Sequence, residues 1–188
     1  GLMLASPLQV AQSMAAIGNG NVLMELQLVR QIQDFHGRVI EAPTFKKRND
    51  LNLSPIALET THDGMRDVVH ASYGTGQRAN LGFTTMCGKT GTAQWKDDPK
   101  QGLAWFSGFF PYDNPRYAAA VVIEHGGGSG AAYPVARDVL TFLYDREKAM
   151  DVLTGLETSW GGTIQERMDA KMAAYRSKKQ LEKAIAEK

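Results

Sequence analysis

A chain of 188 residues, 43% of them apolar, is long enough for one domain with a buried core. Its 21 basic and 20 acidic residues leave a net charge of +1, so the overall charge does not point to nucleic acid or an anionic membrane surface. The single Cys87 excludes an internal disulfide and any multi-cysteine metal site, no run approaches ~18 consecutive apolar residues, and the N-terminus has no signal-type core.

The first element expected is a helix over Pro7 to Ala16, with apolar Leu8, Val10, Ala11, Met14 and Ala15, closed by Gly18-Asn19-Gly20. Ser6 before Pro7 is a natural cap-then-proline start. Residues 21 to 36 mix helix formers with a Val-Leu-Met-Glu-Leu run and take no clear assignment, while Arg38 to Thr44 fits a short strand. Asn52 to Ser72 reads as one or two helices, because Ser54-Pro55 repeats the cap signal and Leu58, Met65, Val68 and Val69 recur near helical spacing. Tyr73 to Ala79 is a glycine-rich loop.

From Thr84 the period changes to that of strands. Thr84 to Trp95, Leu103 to Pro111 and Arg116 to Glu124 are expected to form an antiparallel meander, the last two joined by a turn at Tyr112-Asp113-Asn114-Pro115. Gly126 to Gly130 breaks the sheet. Ala131 to Lys148 then gives a helix, with Val135, Val139, Leu140, Phe142 and Leu143 expected to face the sheet. Asp151 to Gly162 looks like a linker. Thr163 caps a polar helix from Ile164, with Ile164, Met168, Met172 and Tyr175 on one stripe and seven basic against four acidic residues through Lys188. That charge run is expected to be a solvated helix or a disordered end, with binding to anionic lipid or a partner as the lesser alternative. The domain division expected is 1–148 and 149–188.

Chemistry concentrates in Lys89-Thr90-Gly91-Thr92, within Cys87-Gly88-Lys89-Thr90-Gly91-Thr92-Ala93-Gln94-Trp95. A Lys-Thr-Gly segment is one of the signatures of serine acyl-transfer enzymes attacked by penicillins. An ammonium and threonine hydroxyls can hold a carboxylate, a glycine admits substrate backbone, and a strand N–H can face a developing oxyanion. Taken alone, the four residues more often make an ordinary strand or turn with a surface lysine. A phosphate loop fails on spacing, since Phe83 stands where that pattern needs glycine and poor helix-opening sequence follows the lysine. His36, His62, His70 and His125 match no zinc spacing. Cys87 fits a small apolar residue opening a buried strand. Trp105 is a candidate for lining a groove beside the motif, although an alternating strand aromatic is more often core.

The surrounding segments resemble the C-terminal part of the transpeptidase domain of class B penicillin-binding proteins. Those segments are Ser6-Pro7-Leu8-Gln9 running to Gly18-Asn19-Gly20, then Asp63-Gly64-Met65, the Lys89–Thr92 strand, Trp105-Phe106-Ser107-Gly108-Phe109 with Pro111, and Tyr117 to Glu124 running into glycines. They occur in family order over roughly residues 1 to 145. The resemblance implies an α/β fold, α+β in outline, in which helices sandwich a five-stranded sheet that is incomplete in this chain.

It also implies acyl transfer through a serine ester. The donor would be a peptidoglycan stem peptide ending in D-Ala-D-Ala, β-lactams would enter the same site, and no cofactor or metal is implied. Lys89 would supply positive potential, Thr90 and Thr92 would bind the terminal carboxylate, Gly91 would allow close approach, and the Thr92 N–H would complete an oxyanion hole. The family partner expected is a polytopic cell-wall glycosyltransferase of the rod-shape machinery. The expected location is the periplasmic face of the bacterial inner membrane, anchored by an N-terminal helix not in this chain.

One departure matters. No serine is followed three places on by lysine, so the Ser-x-x-Lys nucleophile motif is missing, as is a convincing Ser-x-Asn upstream of the strand. In the family both lie before the helix that begins this chain, so Gly1 is expected to be a cut through the domain. Two alternatives stand beside the transpeptidase: a non-catalytic binding or scaffold module, and a carboxypeptidase or β-lactamase relative.

Overall fold

The computed structural model describes residues 4–94 and 102–186, with side chains as far as Gln180. The chain divides into two compact units, Gly1–Leu140 and Thr141–Lys188.

Helix α1 spans Pro7–Gly18, and its start is fixed by a reciprocal cap. The Gln9 N–H donates to Ser6 Oγ at 3.3 Å and the Ser6 N–H to Gln9 Oε1 at 2.8 Å. Helix α2, Pro55–His70, opens the same way, with the Ala57 N–H on Ser54 Oγ and proline in the first turn. It is one continuous helix. Between the two helices the chain forms short antiparallel pairs: β1 (Val22–Met24) with β4 (Lys47–Asp50), and β2 (Ile32–Gln33) with β3 (Val39–Glu41). The strand expected at 38–44 is thus β3, and the unassigned 21–36 supplies β1 and β2.

The principal sheet is the expected meander, in the order β5 (Cys87–Ala93), β6 (Leu103–Phe110), β7 (Tyr117–Ile123). Trp95, expected at the end of the first strand, lies outside the described residues. Of the five strands that the resemblance implies, this sheet holds three among the described residues.

Period-two alternation splits the sheet's side chains into two faces. On one face Phe106, Phe110 and Ala104 join Val69, Met86, Ala79 and Leu81 with Ala132, Ala136 and Leu140. On the other, Cys87 and Phe109 pack with Met65 of α2 and with Met14 and Ile17 of α1. Gly18 lets α1 sit there, because an added Cβ would lie 2.9 Å from the Phe109 ring. Helix α2 therefore serves both faces, through Met65 and Val69, at the Cys87–Gly88 end of β5.

Two helical expectations need correction. Helix α3, Ala132–Tyr144, meets the sheet through Ala132, Ala136 and Leu140, whereas Val135 and Val139 are 42% and 50% exposed. Phe142 and Leu143 are exposed as well. Of the residues expected to face the sheet, Leu140 does; small Ala132 and Ala136 complete the stripe by letting the helix backbone come close. The single helix expected over Ala131 to Lys148 is divided at Asp145, and most of the linker expected at Asp151 to Gly162 belongs to the second helix, α4, Arg146–Trp160. Asp145 caps it by accepting the Lys148 N–H at 3.1 Å, and Gly161, at φ +75°, closes it in the left-handed conformation that glycine tolerates. Helix α5, Ile164–Ala186, starts where expected, with Thr163 and Glu166 exchanging capping hydrogen bonds of 3.2 and 2.8 Å.

Candidate active-site strand

Strand β5 sits at one edge of the three-stranded sheet, with β6 on its other side. Its entry is clamped: Met86, just before the strand, and Cys87 are fully buried, and the Met86 N–H donates to His70 Nε2 at 3.1 Å. The Cys87 thiol reaches the His62 carbonyl at 3.5 Å. Burial pushes that thiol up to about 12, so it stays protonated and is a poor nucleophile. His62 Nε2 in turn bonds the Ile17 carbonyl at 2.8 Å, and Tyr112 donates to Asp63 at 2.8 Å, tying α2 to α1 and to the end of β6. The Asp63 carboxylate, as acceptor, holds the Tyr112 phenol above its ordinary range.

Beyond that clamp the strand emerges. Lys89 and Thr92 are exposed, Gly91 is half-buried, and Thr90 is 9% exposed. In the ladder Lys89 lies opposite Ser107, and Gly91 opposite Trp105. Alternation therefore gathers Lys89, Gly91, Trp105 and Ser107 on one face and Thr90 and Thr92 on the other. Trp105 is half-buried beside Gly91. The Lys89 ammonium bends to the Thr90 carbonyl, 2.6 Å away.

The two threonines share a face but not an environment. Thr92 is open, whereas the Thr90 hydroxyl lies 2.8 Å from the Thr75 hydroxyl, in the loop between α2 and the 3₁₀ turn Gln77–Ala79. The sequence alone gives Thr75 and Ser107 no role in the site, and it marks His70 only as a histidine that fits no zinc spacing. The glycines on either side of Thr75 were the available signal, since such a pair marks a backbone brought close to something else. Among the described residues, no group of three or more His, Cys, Asp or Glu side chains is placed to hold a metal ion, and no helix is long and apolar enough to cross a membrane.

The arrangement offers a cation, an accessible hydroxyl and a strand edge to an anionic, peptide-like ligand. Comparisons with known proteins identify the family. The family model for the penicillin-binding protein transpeptidase domain matches residues 1–141. A peptidoglycan D,D-transpeptidase of Haemophilus influenzae, MrdA, is 33% identical over 158 residues, covering 76% of this chain and 24% of that protein. Penicillin-binding protein 2B of Streptococcus pneumoniae superposes with a TM-score of 0.64 at 29% identity, over 76% of this chain and 25% of that one. The penicillin G acyl-enzyme complex of M. tuberculosis penicillin-binding protein A gives 0.65 at 25% identity, over 77% and 33%. The chain thus spans about a quarter of the length of the first-named relative. With its mixed helices and antiparallel strands and its class B relatives, it belongs to the penicillin-binding protein transpeptidase domain family.

Proposed function

We propose that this chain forms the substrate-receiving wall of a peptidoglycan D,D-transpeptidase, with the serine nucleophile and its lysine base supplied by sequence outside it. The substrate is a stem peptide ending in D-Ala-D-Ala. The serine oxygen attacks the carbonyl carbon of the penultimate D-alanine, the C–N bond breaks, and the terminal D-alanine leaves with a proton. An amine from a neighbouring strand then attacks the ester, forming the cross-link and returning the serine its proton. β-Lactams acylate the same serine, and a penicillin G acyl-enzyme of one structural relative favours that assignment.

Within the chain, Lys89 supplies positive potential, the Thr90 and Thr92 hydroxyls hold the substrate's carboxylate, Trp105, on the face opposite the threonines, lines the surface beside Gly91, and the Thr92 N–H donates to the oxyanion. In an antiparallel strand the N–H and C=O of a residue point the same way, and those of the residue two places on follow. A Thr90 carbonyl held by the Lys89 ammonium is consistent with the free edge of β5, and it directs the Thr92 N–H to that edge too. Losing one such donor typically costs ~3 kcal/mol of transition-state stabilisation.

The observation that carries this function is at Gly91. An added Cβ there would meet nothing closer than Trp105 Cβ at 3.4 Å, an ordinary contact, so packing does not demand glycine and close approach of a ligand does. The resemblance to the family supports work at the periplasmic face of the inner membrane, with a polytopic cell-wall glycosyltransferase as partner. The test is turnover: given a pentapeptide donor and an amine acceptor, the complete protein should release D-alanine and form cross-linked dimer. D-alanine release without dimer would make it a carboxypeptidase, and neither product would make it a binding module.

A further inference from the structure

Thr90 is held on both of its branches by a single loop. Its methyl group lies where an added Cβ on Gly76 would be only 3.3 Å away, and its hydroxyl lies 2.8 Å from that of Thr75. The loop itself has little freedom. Gly74 packs so closely that an added Cβ would come within 2.4 Å of the Asp67 and Val68 carbonyl oxygens. The Gly76 N–H donates to the Val68 carbonyl at 2.8 Å, and the Gln77 amide donates to the Ala71 and Ser72 carbonyls at 2.8 and 2.7 Å. Ala79, just beyond, is fully buried. Thr75 is therefore delivered to Thr90 from a backbone anchored on α2, independently of the β5–β6 ladder.

Hydrogen counting gives this contact a chemical meaning. Two hydroxyls carry two hydrogens, and one is committed to the bond between them. If Thr75 donates, the Thr90 hydrogen is left to point at an acceptor. A carboxylate can only accept, so the arrangement that serves an anionic ligand at Thr90 is the one in which Thr75 is the donor to Thr90 Oγ1. Without Thr75 the Thr90 hydrogen would have its partner to choose among nearby carbonyls, as β-strand hydroxyls do.

We propose that Thr75 is a positioning residue of the acyl-donor site, donating to Thr90 Oγ1 so that the Thr90 hydroxyl hydrogen is aimed at the substrate's terminal carboxylate. This rests on the transpeptidase function proposed above. The substrate class it selects is an acyl donor with a free carboxylate next to the scissile bond, whether stem peptide or penicillin.

The experiment compares second-order acylation of the complete protein by benzylpenicillin and by its methyl ester, which lacks the anion. Thr75→Val should slow acylation by the acid about tenfold while changing the ester's rate by less than about twofold, the size expected when a hydrogen bond to a charged group is lost. Thr75→Ser should restore the acid-to-ester ratio, because it restores the hydroxyl. Thr90→Val added to Thr75→Val should cost little more, since both act on one hydrogen bond. A ratio unchanged in Thr75→Val, or equally reduced in Thr75→Ser, overturns the assignment. Should Thr75→Val fail to fold, the ratio is read from Thr75→Ala and Thr75→Ser, and an Ala ratio equal to wild type overturns it equally. Failure of the wild-type protein to react with either compound would overturn the underlying function and this inference with it, an outcome distinct from an unchanged ratio.

Discussion

Gly88 and Gly91 stand three residues apart on β5, on opposite faces, and only the first meets a packing limit. An added Cβ at Gly88 would lie 2.5 Å from the Phe106 ring and 3.0 Å from Val69 Cγ2, whereas at Gly91 the nearest atom is Trp105 Cβ at 3.4 Å. Gly88→Ala should therefore destabilise the protein by about 1–3 kcal/mol, the usual cost of overpacking a core. Gly91→Ala should leave the melting temperature within about 2 °C, by the same size scaling that makes 1 kcal/mol worth a few degrees, and slow acylation by penicillin at least about tenfold by blocking close approach. Melting curves beside acylation rates separate the two; equal losses of stability would show Gly91 to be structural.

Thr92 and Lys89 should also separate chemistry from folding, because both are exposed. Thr92→Val keeps the strand's β-branched shape and the backbone N–H, so stability should change by less than about 0.5 kcal/mol while acylation falls only in part. Lys89→Ala should cost more, since it removes the motif's cation from an anionic substrate. Rates unchanged in both variants would reduce this strand to a structural element.

His70 has a structural task. Its Nε2 accepts the N–H of fully buried Met86, three residues before Lys89. His70→Ala should leave that donor unpaired and cost about 1–3 kcal/mol. Chemical denaturation measures it; a loss below about 0.5 kcal/mol, within the range of ordinary surface changes, would mean that water replaces the imidazole.

Cys87 should be silent in the folded protein. Burial raises its thiol to about 12 from the ordinary 9.0, so alkylation by a maleimide at pH 8 should be slow until denaturant is added. The folded state holds the proton more tightly, so the contribution is intact below pH 9.0 and is lost as pH rises toward about 12. Rapid labelling under native conditions would contradict the burial.

Much of this was legible from local chemistry. Ser6-Pro7 and Ser54-Pro55 mark helix starts because a hydroxyl cap and a proline in the first turn act within three residues. The three-strand meander is legible from strand-length apolar runs set off by the Tyr112–Pro115 turn and the Gly126–Gly130 break. Helix α4 was not, although Ala149, Leu153 and Leu156 recur at helical spacing and are half-buried; Thr154 and Gly155 in its middle are weak helix formers, and its limits rest on Asp145 and Gly161. Nor was the packed face of α3, where close approach favours Ala132 and Ala136 over larger neighbours. Thr75 escaped notice because its contact spans fifteen positions and depends on a loop folding back onto β5; no periodic pattern encodes such a contact.

The central claim, that this chain is one wall of a serine acyl-transfer site whose nucleophile lies outside it, is tested most directly by covalent labelling. A fluorescent penicillin is incubated with the complete protein and, separately, with these 188 residues alone, followed by denaturing electrophoresis. The complete protein should carry one label, and the isolated chain none. A stoichiometric adduct on the isolated chain, or no adduct on the complete protein, would contradict the account.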